Sequence, residues 1–142
     1  IADEPIAFVG LGSNLLVRDG GFPGVVVLMH NTHGAMRVEG QHVYADAGVA
    51  NPKVARFAAN QGFEAAEFLA GVPGTVGGAL AMNAGCYGSE TWQFVGQVQT
   101  IDRSGTLRLR EPADFELGYR HCVLRASAAE EWFTAAWFPW TT

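Results

Sequence analysis

Gly71-Val-Pro-Gly-Thr-Val-Gly-Gly-Ala-Leu-Ala-Met-Asn-Ala-Gly-Cys-Tyr-Gly-Ser-Glu90 carries six glycines in twenty residues, and Glu90 is its one formal charge. Glycine permits positive φ and close backbone approach, at a cost in conformational entropy. Two readings fit that composition. One is a set of tightly packed turns. The other is a backbone surface whose amides face an anion, most often a phosphate. Within the stretch, Val76–Met82 reads as a short helix of small residues, and Thr75 suits its N-cap.

Upstream, Ile6–Val9 is an apolar run that reads as a buried strand and leads into Gly10-Leu-Gly-Ser-Asn-Leu15. A strand feeding a Gly-Ser-Asn turn is compatible with a second phosphate loop. Taken alone, it reads first as an ordinary strand-to-turn junction. Leu15 stands where the third glycine of the dinucleotide fingerprint would fall, and no Gly-Lys-Ser/Thr follows, so neither standard phosphate motif is present. Val25–Met29 is β-branched and reads as a strand. Met36–Glu39 and His42–Asp46 read as a hairpin around Gly40. A helix opens at Asn51 as N-cap, with Pro52 at the first helical position. Val54, Phe57, Ala58 and Gln61 share one face of it, and Gly62 stops it. His30 and His33 lack a third or fourth ligand and read as loop residues rather than a metal pair.

Downstream the pattern turns to strands. Val95–Ile101 alternates loosely, and Asp102-Arg-Ser-Gly105 is a hairpin turn. In Thr106–Arg110 the alternation places Leu107 and Leu109 on one face, with Arg108 and Arg110 towards solvent. Glu111–Phe115 reads as a turn or a single helical turn. Ala128–Trp140 holds three of the four tryptophans and reads as a final strand.

At 142 residues the chain is one domain or a piece of a larger one. Its 49% hydrophobic content can build a core, while its 16% charged content suggests a surface covered by a ligand or another segment. Net charge is −5 and Lys53 is the only lysine, which argues against a nucleic-acid partner. Cys86 and Cys122 form no disulfide framework and read as free thiols in a reducing compartment. No apolar run of eighteen residues and no leader pattern occur, so a cytoplasmic location without membrane insertion is expected. There is no nucleophile elbow, and neither Cys86 nor His121 has an orienting partner. The residues alone lead to a nucleotide- or cofactor-binding α+β domain. Its two glycine-rich loops suit a diphosphate, and a lone Arg120 sits between an aromatic and a histidine.

Four segments carry a more specific resemblance. They are Gly12-Ser-Asn-Leu-Leu16, Glu67-Phe-Leu-Ala-Gly-Val-Pro-Gly-Thr-Val-Gly-Gly-Ala79, Met82-Asn-Ala-Gly-Cys-Tyr-Gly88 and Gly118-Tyr-Arg-His-Cys122. In order and spacing, from Ile6 to Leu124, the chain resembles the UDP-N-acetylenolpyruvoylglucosamine reductase (MurB) family. The resemblance implies an α+β FAD-binding domain of the PCMH, vanillyl-alcohol-oxidase-like type. In that fold two subdomains hold FAD between them. Gly12, Ser13 and Asn14, flanked by Gly10 and Leu15, match the first pyrophosphate loop. Gly71, Val72, Pro73, Gly74, Thr75, Gly77 and Gly78 match the second. Asn83, Ala84, Gly85, Tyr87 and Gly88 match the flavin side, and Arg120 matches an arginine that stabilises an enolate.

The activity implied is bacterial and cytoplasmic. NADPH reduces FAD, the flavin reduces an enolpyruvyl UDP-sugar, and UDP-N-acetylmuramate forms for peptidoglycan. No protein partner is expected. The family also has an N-terminal strand–helix unit and a C-terminal substrate domain, which supplies a serine proton donor and a late glutamate. Residues 1–142 match neither, so the chain is expected to be a partial flavin domain, incomplete at both ends and inactive alone. The alternatives are another PCMH-type flavin oxidoreductase or a non-catalytic flavin-binding fragment.

Overall fold

A computed structural model describes residues 4–9, 21, 24–29, 34–62, 67–86, 88–125 and 130–139. Its centre is the strand expected last. Glu131–Pro139 (β11) runs antiparallel between His42–Asp46 (β4) and Gln97–Asp102 (β7). Met36–Glu39 (β3) and Leu107–Arg110 (β8) form the two edges of this five-stranded sheet, in the order β3-β4-β11-β7-β8. Both outer pairs are hairpins whose turns need a positive φ. Glycine supplies it at Gly40 (φ 59°) and Gly105 (φ 85°). A register shift between Phe133 and Ala135 leaves Thr134 free to donate to Gln99 O (3.2 Å) and Oε1 (2.9 Å).

One face of the sheet is the core. Val43, Ala45, Val98, Ala136 and Phe138 are fully buried there. They belong to the same apolar cluster as Val54 and Ala58 of Asn51–Asn60 (α1), Leu69 of Glu67–Ala70 (α2), and Val76 and Leu80 of Val76–Met82 (α3). Each such Val, Leu or Phe stabilises the fold by roughly 1.5–3 kcal/mol. Ile6–Val9 (β1) pairs in parallel with Val25–Leu28 (β2), and Phe8 stacks on Trp132 with ring centroids 4.9 Å apart. Two small antiparallel pairs complete the described chain: Gly85–Cys86 (β5) with Ser89–Glu90 (β6), and Phe115–Gly118 (β9) with His121–Leu124 (β10). Pro112–Asp114 forms a 3-10 turn, one of the two forms expected there.

Two expectations are corrected. On β8 the faces are reversed: Leu107 and Leu109 are 55% and 58% exposed, and the arginines take the paired side. Arg110 forks onto Glu131, Nη2 to Oε2 at 2.7 Å and Nε to Oε1 at 3.1 Å. Thr100 Oγ1 donates to the same carboxylate at 2.7 Å, and Arg108 pairs with Asp102. An edge strand buries little side-chain area, so satisfying a carboxylate only 3% exposed outweighs covering two leucines. At α1 the N-cap is Ala50, not Asn51, and no side chain caps that helix. Asn51 is wholly buried, and its side chain reaches a segment far along the chain.

Candidate functional site

The residues marked by the sequence gather at the two ends of α3. The helix is short because both ends are specified. Thr75 (φ −101°, ψ 166°) caps it, its Oγ1 accepting from Gly78 N at 3.4 Å, and Asn83 closes it in the left-handed region (φ 48°, ψ 52°). A Cβ on Gly77 would lie 3.1 Å from Ala47 Cβ, so a glycine lets α3 lie close on the chain that leaves β4.

At the N-terminal end, Gly71–Gly78 is stitched to Ala47–Asn51. Asn51 N donates to Gly74 O, Val76 N to Val49 O and Gly77 N to Ala47 O, each at 2.9 Å. Asn51 Nδ2 adds bonds to Gly74 O (3.2 Å) and Thr75 O (3.0 Å). These contacts turn two carbonyls inward. They also occupy the amides of Val76 and Gly77, and the Thr75 cap takes that of Gly78, so the first amides of α3 do not face an anion. The amides of Gly74 and Thr75 make no hydrogen bond to another described residue. Gly74 has φ 92°, which an L side chain would strain, and Pro73 beside it is exposed. Asn51 Oδ1 is buried without a partner among the described residues.

The C-terminal end is tied to the β9–β10 hairpin. Asn83 is 2% exposed; its Nδ2 donates to Gly118 O at 2.9 Å, and its Oδ1 accepts from Trp92 N at 3.1 Å. Trp92 Nε1 donates in turn to Leu80 O at 2.9 Å, and Thr91 Oγ1 to Ala84 O at 2.8 Å. The two-residue hairpin loop is Tyr119-Arg120, and Arg120 has φ 50°. That left-handed backbone is uncommon outside glycine and costs about 1–2 kcal/mol. It lays the guanidinium over Gly85, with Nη1 against the position of a Gly85 Cβ and Cζ and Nη2 each 3.1 Å from it. The guanidinium also lies over the Tyr119 ring, 4.7 Å from its centroid. Both side chains are exposed, beside a recess lined by Asn83, Glu90, Trp92, Gln93, Leu117 and Gly118.

Other groups near the hairpin are held in defined states. Glu116 meets His121 at 3.0 Å, which holds its carboxyl below the usual range. Burial pushes the Cys122 thiol up to about 11, against a smaller opposing contact with Trp92, so it stays protonated at neutral pH. Cys86 and Cys122 are both free.

The structure therefore brings Arg120 to Gly85 and places Gly74–Thr75 and Asn83–Gly85 at opposite ends of one helix. Gly88 follows β5 in a turn with φ 78°. Gly10, Gly12, Ser13, Asn14, Leu15 and Tyr87 lie outside the described residues, as do His30 and His33. Sequence reading missed Asn51, Trp92 and Gly118. Asn51 did carry a signal, an Asn-Pro helix start, but that signal pointed to a local cap rather than a long-range tie.

A family model described as FAD binding domain matches residues 2–109. UDP-N-acetylenolpyruvoylglucosamine reductases from Nitrosospira multiformis and Alkalilimnicola ehrlichii are each 55% identical to this chain, covering 96% and 94% of it. The match takes in 46% and 44% of those proteins, so the chain spans just under half their length. Among solved structures, the reductase (MurB) from Thermus caldophilus aligns with a TM-score of 0.79 at 29% identity, over 98% of this chain and 50% of that one. A cholesterol oxidase from Brevibacterium sterolicum aligns with a TM-score of 0.59 at 16% identity, over 97% of this chain and 30% of that one, a likeness of fold alone.

Proposed function

The chain belongs to the FAD binding domain family, and on that premise we propose that it is the flavin-holding half of a reductase. The substrate class is the enolpyruvyl UDP-sugar named for its relatives, UDP-N-acetylenolpyruvoylglucosamine. The reductant is NADPH and the product UDP-N-acetylmuramate, a precursor of peptidoglycan.

The residues present fit FAD. The Gly74–Thr75 turn offers two amides that make no bond to a described residue, next to a glycine that brings the backbone close. Residues 71–78 carry no charged side chain, so they would meet a diphosphate with backbone dipoles. At the other end of α3, Ala84 leaves a low, half-exposed surface on which a flat ring system can lie, beside the Gly85 face that Arg120 takes. Gly71–Gly78 would hold the diphosphate, and Asn83, Ala84, Tyr87 and Gly88 would border the flavin. Bound FAD would accept reducing equivalents from NADPH and supply them to the enolpyruvyl double bond.

Arg120 carries this reading. Reduction of an enolpyruvyl group builds negative charge on the carboxylate side of the double bond. A guanidinium is always charged and presents a rigid fork of donors, so fixed beside the flavin border it stabilises that charge. The left-handed Arg120 backbone fits this role, because unfavourable φ values persist where the surroundings impose them and cluster at functional sites. Replacing Arg120 with alanine in the protein at its full natural length tests the proposal. Substrate-dependent NADPH oxidation should fall by roughly 100- to 1000-fold, the scale of one lost oxyanion donor, while FAD stays bound. Unchanged turnover would favour another oxidoreductase of the same fold, and failure to take up flavin would remove the reading altogether.

A further inference from the structure

We infer that Gly85 is a positioning residue for Arg120: its missing side chain is the seat in which the guanidinium lies. The inference rests on the role given to Arg120 above and assigns Gly85 something other than contact with the cofactor. Four observations converge on it. A Cβ at Gly85 would collide with Arg120 Nη1 and lie 3.1 Å from both Cζ and Nη2. The three atoms nearest to that position all belong to this one side chain. The hairpin that delivers Arg120 is fixed from the same end of α3, because Asn83 Nδ2 holds Gly118 O at 2.9 Å two residues before it. The guanidinium also lies over the Tyr119 ring, with Cζ 4.7 Å from its centroid.

A long, exposed arginine loses rotamer freedom when it acts at one geometry, and a charged group works best when fixed before the reaction begins. The hairpin fixes the Arg120 backbone in an unusual conformation. Tyr119 and the Gly85 recess then each contact the tip. Gly85 is not at positive φ, so an alanine fits its backbone without strain. The added methyl would meet the end of the Arg120 side chain before any other atom. It would change no charge, and it would push the guanidinium away by about 1 Å to reach ordinary contact distance.

The test is a double-mutant cycle of Gly85→Ala and Arg120→Ala in the protein at its full natural length, loaded with FAD. FAD stoichiometry, the flavin absorption spectrum, the melting temperature, kcat and KM are measured for each variant. Displacing a catalytic group by about 1 Å can cost roughly a hundredfold in rate, so kcat of Gly85→Ala should fall on that scale. Its FAD content, spectrum and melting temperature should match the parent. The decisive result is non-additivity: once Arg120 is alanine, adding Gly85→Ala should cost no further rate. Additive losses, or a changed flavin spectrum in Gly85→Ala, would show that Gly85 acts on the cofactor and overturn the inference. Wild-type kcat in Gly85→Ala alongside a crippled Arg120→Ala would overturn it and leave the role of Arg120 standing. Full activity in Arg120→Ala would remove that role, and the inference with it.

Discussion

The two ends of α3 are built in opposite ways. At the N-terminal end backbone meets backbone: Gly74–Gly77 is laced to Ala47–Asn51, and the one side chain that intervenes, Asn51, is fully buried. At the C-terminal end a single buried side chain, Asn83, spans two other elements, and what it fixes is an exposed hairpin with a cation at its tip. Under the proposed function one end would be a holding surface, which needs dipoles in fixed places and no titratable group. The other would be a reactive edge, which needs a charge brought to a defined point. A single seven-residue helix sets the distance between them.

The largest break in that comparison comes from Asn51→Asp. Its carboxylate would be buried against the carbonyls of Gly74 and Thr75 with no donor to satisfy it. A buried uncompensated charge costs about 3–5 kcal/mol, so the midpoint of urea unfolding should fall sharply. Next is Asn83→Ala, which strips partners from Gly118 O and Trp92 N and puts alanine at φ 48°. Unfolding should lose about 2–3 kcal/mol. Because the loosened segment bears Arg120, kcat should drop more than FAD affinity does. Equal losses in the two would mean that Asn83 serves both ends and that the division is false.

A smaller effect tests how closed the hairpin is. Cys122 on β10 has a thiol pushed up to about 11, above the ordinary thiol value near 8.5. A raised value in the folded state means that the folded state keeps its proton. The stability it contributes is complete below about pH 8.5 and is lost as pH rises towards 11. Cys122→Ser should flatten that alkaline decline in denaturation measured between pH 8 and 11. At pH 8, alkylation of Cys122 should be slow in the parent and faster in Asn83→Ala.

Much of this arrangement was legible in local sequence, and the reasons differ by element. Val76–Met82 could be read because a capping threonine, small residues and an asparagine able to adopt left-handed φ agree. The β3–β4 hairpin could be read because Gly40 divides two short strands. The β9–β10 hairpin gave no such signal, since its left-handed position is an arginine rather than Gly or Asn. The place of β11 at the centre of the sheet depends on pairings with β4 and β7 that no local pattern encodes. Leu107 and Arg110 exchanged their expected faces because Glu131, remote in sequence, supplied the arginine's partner. Which amides of Gly71–Gly78 are taken was not legible, because long-range bonds to Ala47–Asn51 decide it.

The division between the two ends is tested most directly by titrating FAD into the apo-protein at its full natural length, following flavin fluorescence, for Arg120→Ala and Asn51→Ala below their melting temperatures. Arg120→Ala should bind FAD as the parent does, and Asn51→Ala should bind it at least about tenfold more weakly, a difference of about 1.4 kcal/mol. Parent-like affinity in Asn51→Ala, or a comparable loss in Arg120→Ala, would contradict the assignment of holding to one end and chemistry to the other.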